Sequence, residues 1–233
     1  MVIQEIFRVV YSPLKAFEEI AKAPNVKGPL LILLITLPAS ISLEYIRSSK
    51  ILLEVETGGG IYTPFNATDL FRSRLISTLT SSTLGFFLKW LIYGASFLLI
   101  LKLFRTQEGP WHHIFILIGY TFIVATIFVI VNAILISTLP IIRLDFETWT
   151  QAFLEGDVEA LSQVLQEYER NLAGLPAQIA QIGFYLIIVN EVWTTALGAI
   201  AVHFLREVSW NKAIVVSVIV SSLSLLLMGP LVY

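Results

Sequence analysis

Ala177 to Leu205 reads AQIAQIGFYLIIVNEVWTTALGAIAVHFL, apolar along nearly its whole length with Asn190-Glu191 at its middle. A helix of this length rises about 40 Å, enough to cross roughly 30 Å of hydrocarbon. Glu191 then falls near the bilayer midplane. An ionised carboxylate costs several kcal/mol there, so it is expected to face protein, find a partner, or be protonated.

Composition extends this reading to the whole chain. Of 233 residues, 56% are hydrophobic and 14% charged, whereas soluble domains carry about 25% charge. Mean hydropathy is +0.80. These values define an integral membrane protein. The absence of cysteine excludes disulfides, thiolate metal sites and a cysteine nucleophile. A net charge of -2 says nothing by itself about nucleic acid, so the charge is read loop by loop, and no nucleic-acid partner is expected.

Five apolar segments, about 28–46, 83–104, 113–139, 178–204 and 212–233, are each long enough to span a bilayer. Their short connections carry Lys102, Arg105, Arg206 and Lys212, and the N-terminal segment carries Arg8, Lys15, Lys22 and Lys27. The loops 47–82 and 140–177 are longer and more acidic. This basic bias predicts a cytoplasmic N-terminus, an outside C-terminus and a multi-pass protein of the cell membrane.

Within residues 1–27, Ile3, Ile6, Phe7, Val10, Leu14, Phe17, Ile20 and Ala21 recur at helical spacing. Ser12-Pro13 divides the segment, with Ser12 as candidate cap and Pro13 at the first helical position. Two short amphipathic helices are expected, either lying on the lipid surface or packed beneath the bundle. Pro13, Phe17, Ile20, Arg8 and Lys15 are the candidate membrane-surface or partner-binding residues.

The first outside loop holds Gly58-Gly59-Gly60, a flexible break, and Asn66-Ala67-Thr68, which fits the N-glycosylation acceptor pattern. Asp69 is a candidate cap for a helix running from Leu70 into the second span. In the second outside loop, Asp157 precedes Val158, Leu161, Leu165, Tyr168 and Leu172 at helical spacing, and Phe146, Trp149 and Phe153 mark a shorter partner. An extracytoplasmic helical hairpin between spans three and four is expected. The fold class is therefore all-α, with a helix pair at residues 1–27 and a five-helix membrane domain at 28–233.

Lys89 is the one basic residue deep in a span, and Glu191, Glu44, Asn132 and Asn190 lie at compatible depths. Pairing Lys89 with Glu191 or Glu44 is the least costly way to hold its charge there. Such a network either fixes helix register or lines a route for a proton or ion. His112, His113 and His203 gather at the inner edge, where aromatic rings suit the interface, and are weak metal candidates. No nucleophile motif or phosphate loop is present. No enzyme and no cofactor are expected.

Several stretches resemble the Yip family of multi-pass proteins, named in eukaryotes for interaction with Rab-type GTPases. They are Ser12-Pro13-Leu14-Lys15-Ala16-Phe17-Glu18-Glu19-Ile20 with Pro24, then Gly119-Tyr120, Trp193 with Leu197, and Ser209, Lys212 and Ala213. The resemblance implies five spans and a cytoplasmic N-terminus. Family members commonly carry a proline soon after the glycine-tyrosine pair. This chain reads Thr121-Phe122-Ile123-Val124 instead, removing the expected source of a kink. The short N-terminus is similar to that of prokaryotic members, where no Rab partner is inherited. The function expected is a membrane-organising or partner-recruiting scaffold or accessory subunit, with the bilayer, a membrane-protein partner or a second copy as its contacts. The alternative is a small ion- or solute-conducting transporter using Lys89 and Glu191.

Overall fold

Two short helices open the chain, α1 (Val2–Tyr11) and α2 (Pro13–Lys22). In the computed structural model, residues 2–57, 60–65, 67–104, 109–139, 141–145 and 177–232 are described. The long helices are α3 (Lys27–Ser49), α4 (Ala67–Leu103), α5 (Trp111–Thr121), α6 (Ile123–Ser137), α7 (Ala177–Arg206) and α8 (Trp210–Val232). The expected helical hairpin, with Phe146, Trp149, Phe153 and Asp157, lies outside the described residues, as does Asn66.

Among the described residues, four segments are long and apolar enough to cross a membrane: Lys27–Ser49, Arg74–Leu103, Trp111–Ser137 and Phe184–Arg206. A shorter apolar helix covers Trp210–Leu226. The distribution of side chains is that of a membrane bundle. Leu34, Leu84, Leu91, Leu99, Ile134, Val192 and Leu226 face outward, while Ser96, Thr121, Thr126, Thr194, Ser217, Ser221 and Ser224 are buried. Thr121, Thr126, Ser217 and Ser221 there make hydrogen bonds that lipid does not offer.

The chain forms two compact units. The first comprises residues 1–38, 80–128 and 187–233, and the second residues 39–79 and 129–186. In the first, α1 and α2 contact α5. Ile6, Val9, Ala16, Phe17 and Ile20 join Ile114, Leu117 and Ile118 in one apolar core. The helix pair is therefore packed against the bundle.

Ser12 does not cap α2 with its side chain. Its amide instead donates to the Arg8 carbonyl at 2.8 Å, and its carbonyl accepts from Ala16 at 3.1 Å, so the backbone itself joins the two helices. The Arg8–Glu19 ion pair, 2.7 Å long, ties them on the exposed side.

Although proline is absent, the third apolar segment is interrupted. Phe122 separates α5 from α6, and its amide is directed to the carbonyls of Gly119 and Tyr120 in a tightened turn. Thr121 Oγ1 donates to the Ile118 carbonyl at 2.7 Å, and Thr126 Oγ1 approaches the Phe122 carbonyl at 3.4 Å. Threonine hydroxyls thus engage carbonyls around the interruption.

The second unit holds an unexpected element. β1 (Ile51–Thr57), β2 (Gly60–Phe65) and β3 (Ile142–Asp145) form a sheet in the order β2-β1-β3. β1 pairs antiparallel with β2, with Val55 opposite Tyr62 and a register shift between Leu53 and Val55. It pairs parallel with β3, with Ile51 opposite Ile142. Leu53, Val55 and Thr57 alternating with Glu54 and Glu56 is the strand signal in this stretch. Pro64 lies in an edge strand, where its missing donor is tolerated. The helix expected from Leu70 begins earlier, at Ala67, placing Asp69 within its first turn. In this unit Lys50 Nζ donates to the carbonyls of Ser137 and Leu139, both at 2.7 Å, satisfying the end of α6.

Candidate functional site in the helical bundle

On α4, Lys89, Tyr93, Ser96, Phe97 and Ile100 recur at helical spacing. Tyr93, Ser96, Phe97 and Ile100 are buried, and Lys89 is half-buried. On α7, Glu191, Thr194, Thr195 and Gly198 share a face, and on α8 Ala213, Ser217, Ser221 and Ser224 do the same. These three faces meet. A Cβ built on Gly198 would lie 2.8 Å from Ser217 Oγ and 3.0 Å from Phe97 Cζ, so the missing side chain at Gly198 permits the close approach.

The polar groups here are joined across helices. Tyr93 donates to Glu191 Oε2 at 3.3 Å. Thr195 Oγ1 lies 2.6 Å from the Glu191 carbonyl and 2.7 Å from Ser221 Oγ. The Thr195 hydroxyl is the donor toward both, so its single proton is shared between the two acceptors. Ser217 donates to the Thr195 carbonyl at 2.6 Å. Ser221 and Ser224 stand beside the Tyr93 hydroxyl.

The residues singled out from the sequence divide between the two units. Lys89, Asn190 and Glu191 lie in the first, and Glu191 is the charge that acts on Lys89. Among the described residues, no ion pair within 4.0 Å joins them. Asn190 Oδ1 is buried without a hydrogen-bond partner. Glu44 and Asn132 lie in the second unit, where Glu44 pairs with Arg74 at 3.3 Å and Asn132 is half-buried on α6. The apparent common depth of these residues therefore did not identify Glu44's partner. Arg74, in the N-terminal part of α4, was the missed residue.

The N-terminal candidates also need revision. Phe17 and Ile20 are 0% and 3% exposed, so they are core residues and not a membrane-surface or docking face. Pro13 is half-buried, Lys15 is exposed and Arg8 is engaged with Glu19. The exposed apolar side chains are Ile3, Phe7, Tyr11 and Leu14, at 58%, 62%, 71% and 49%. The single apolar face read from periodicity is thus two faces, one turned to protein and one outward.

The histidines are held by the chain itself. His203 stacks on Trp210 with ring centroids 3.9 Å apart, and its Nδ1 lies 2.7 Å from the Val208 carbonyl. His112 and His113 meet edge to face. No group of three metal-ligating side chains occurs among the described residues.

Apolar helices with hydroxyls and charges turned inward define a multi-pass helical membrane protein. The Yip1 domain matches the chain over residues 7–231, and the chain belongs to that family. No curated protein and no solved structure matches it. The family residues have local roles here. The Tyr120 ring packs directly on Gly28, and Gly119 lies against Pro29, where an added Cβ would stand 2.5 Å from the proline ring.

Proposed function

We propose that this protein is a non-enzymatic, membrane-organising scaffold whose N-terminal helix pair is embedded in the cytoplasmic leaflet. The observation that carries the reading is the two-faced α1. Ile6 and Val9 anchor it to the bundle, leaving Ile3, Phe7 and Tyr11 with Leu14 as an outward apolar stripe. Amphipathic helices in this setting bury such a stripe at the boundary between headgroups and acyl chains. Anchoring by the core fixes the insertion in place, so each molecule widens one leaflet. Arg8, Lys15, Lys22 and Lys27 favour the cytoplasmic side, and α8 serves as the fifth span.

The test is reconstitution into liposomes followed by electron cryomicroscopy of vesicle diameter. The wild-type protein is expected to produce smaller vesicles than a variant carrying Ile3→Ser, Phe7→Ser and Tyr11→Ser. Equal diameters at equal protein density remove the reading. Recruitment of a membrane-protein partner or a second copy belongs to the same proposal, and mass spectrometry after gentle extraction from the native membrane reads it. Recovery of the protein alone argues against recruitment.

A second reading, conduction of an ion or small solute, is favoured by the grouping of half-buried Lys89 and Glu191 with buried Tyr93. Its test is flux in proteoliposomes, expected to be lost in Glu191→Gln. Equal flux in protein-free vesicles removes this alternative.

A further inference from the structure

We propose that Glu191, Tyr93, Ser221 and Ser224 form a binding site for a sodium-sized monovalent cation among α4, α7 and α8. It deepens the second reading by naming a ligand, but binding itself does not require conduction.

The hydrogen-bond directions support an oxygen site. Tyr93 spends its proton on Glu191, and Ser221 accepts from Thr195. Both oxygens therefore keep at least one lone pair available beside the carboxylate. Ser224 is 2% exposed, and its hydroxyl stands close enough to that of Tyr93 to act on it without completing a hydrogen bond of ordinary geometry. A buried hydroxyl in that state is costly unless something engages it. Asn190 Oδ1, on the residue preceding Glu191, is a second unsatisfied buried oxygen.

Among the described residues, the Glu191 carboxylate accepts one hydrogen bond, the 3.3 Å bond from Tyr93. An ionised carboxylate has capacity for about four such contacts. Carboxylate and hydroxyl oxygens are the donors that hard cations take. One negative charge selects a monovalent ion, because a divalent ion leaves surplus charge in a medium of low dielectric. Lys89 adds a second constraint. Its ammonium is the cation whose charge is coupled to Glu191, yet it is not in ion-pair contact. An incoming cation and the Lys89 ammonium therefore compete for the same negative charge.

The experiment is thermal unfolding of purified full-length protein in detergent, titrated with sodium, lithium, potassium or choline chloride at constant ionic strength. A ligand of the folded state raises Tm with its concentration. Sodium is expected to raise the Tm of the wild-type protein above its value in choline. Ser224→Ala and Tyr93→Phe, which change one oxygen each, are expected to require about tenfold more sodium for the same rise. Lys89→Met is expected to need less sodium, and Glu191→Gln to lose the response. An equal wild-type Tm in all four salts overturns the proposal, as does an undiminished sodium response in Ser224→Ala and Tyr93→Phe. Sodium binding with no flux in proteoliposomes leaves the site standing and removes only conduction.

Discussion

The phenolic oxygen of Tyr120 lies 2.9 Å from Oε2 of Glu5, joining the turn at the end of α5 to the first helix of the chain. Tyr120 is fully buried and its ring covers Gly28, so the hydroxyl is delivered to Glu5 by close packing at the start of α3. Tyr120→Phe retains the ring and removes the bond. A hydrogen bond to a charged group contributes about 1.5–3 kcal/mol, so a lower Tm and faster amide exchange in α1 are expected. Exchange in α1 equal to the wild-type rate rules out this latch.

Phe17 and Phe7 are expected to behave oppositely, despite lying on what the sequence presents as one face. Phe17→Ala empties a core position, with an expected loss of about 3–5 kcal/mol read in denaturant unfolding. Phe7→Ala is expected to leave unfolding nearly unchanged while reducing quenching of Tyr11 fluorescence by brominated lipid, measured in a background lacking the other tyrosines and tryptophans. Comparable unfolding losses in the two variants contradict this division.

Two glycines test the close packing of helices. Gly119→Ala drives a methyl toward the rigid Pro29 ring, whereas Gly198→Ala meets the Ser217 hydroxyl first. Gly119→Ala is expected to cost more, with both losses within the roughly 1–3 kcal/mol typical of overpacking. Ser217→Ala combined with Gly198→Ala is expected to recover part of the second loss. Strict additivity in that double-mutant cycle shows that the two positions are not in contact.

The Glu44–Arg74 pair predicts an asymmetry. Side-chain exposure is 12% for Glu44 and 53% for Arg74. Glu44→Gln removes an ion pair that is half open to its surroundings, worth about 1 kcal/mol or less. Arg74→Gln strands a mostly buried carboxylate and is expected to lower Tm more. A larger effect from Glu44→Gln rejects the assignment.

The pH response of α2 has a defined sign. Lys22 donates to Glu18 at 2.7 Å and holds that carboxyl below the usual carboxylate range. A carboxyl with a lower folded pKa stabilises the helix above its unfolded pKa, and the contribution is lost as pH falls through the folded value. Both side chains are exposed, so the effect is small. Protection near Glu18, measured as amide exchange relative to the intrinsic rate at each pH, is expected to fall as pH drops through the carboxylate range, and Lys22→Ala to remove that dependence.

By itself, the sequence determined the membrane character and, of the five apolar segments it offered, four that form helices long and apolar enough to cross a membrane, because transfer into lipid depends on the summed hydropathy of contiguous residues. Periodicity also identified apolar side chains in the first two helices. It did not separate Phe17 from Phe7, because helical spacing records which residues are apolar and not whether protein or lipid covers them. Only the tertiary structure decided that division, the pairing of Glu44 with Arg74, and the parallel association of β1 with β3 across a long sequence separation. It also brought Tyr93 and Glu191 into hydrogen-bond contact, because the packing of α4 against α7 depends on shape complementarity among residues distant in the chain, including the space left by Gly198.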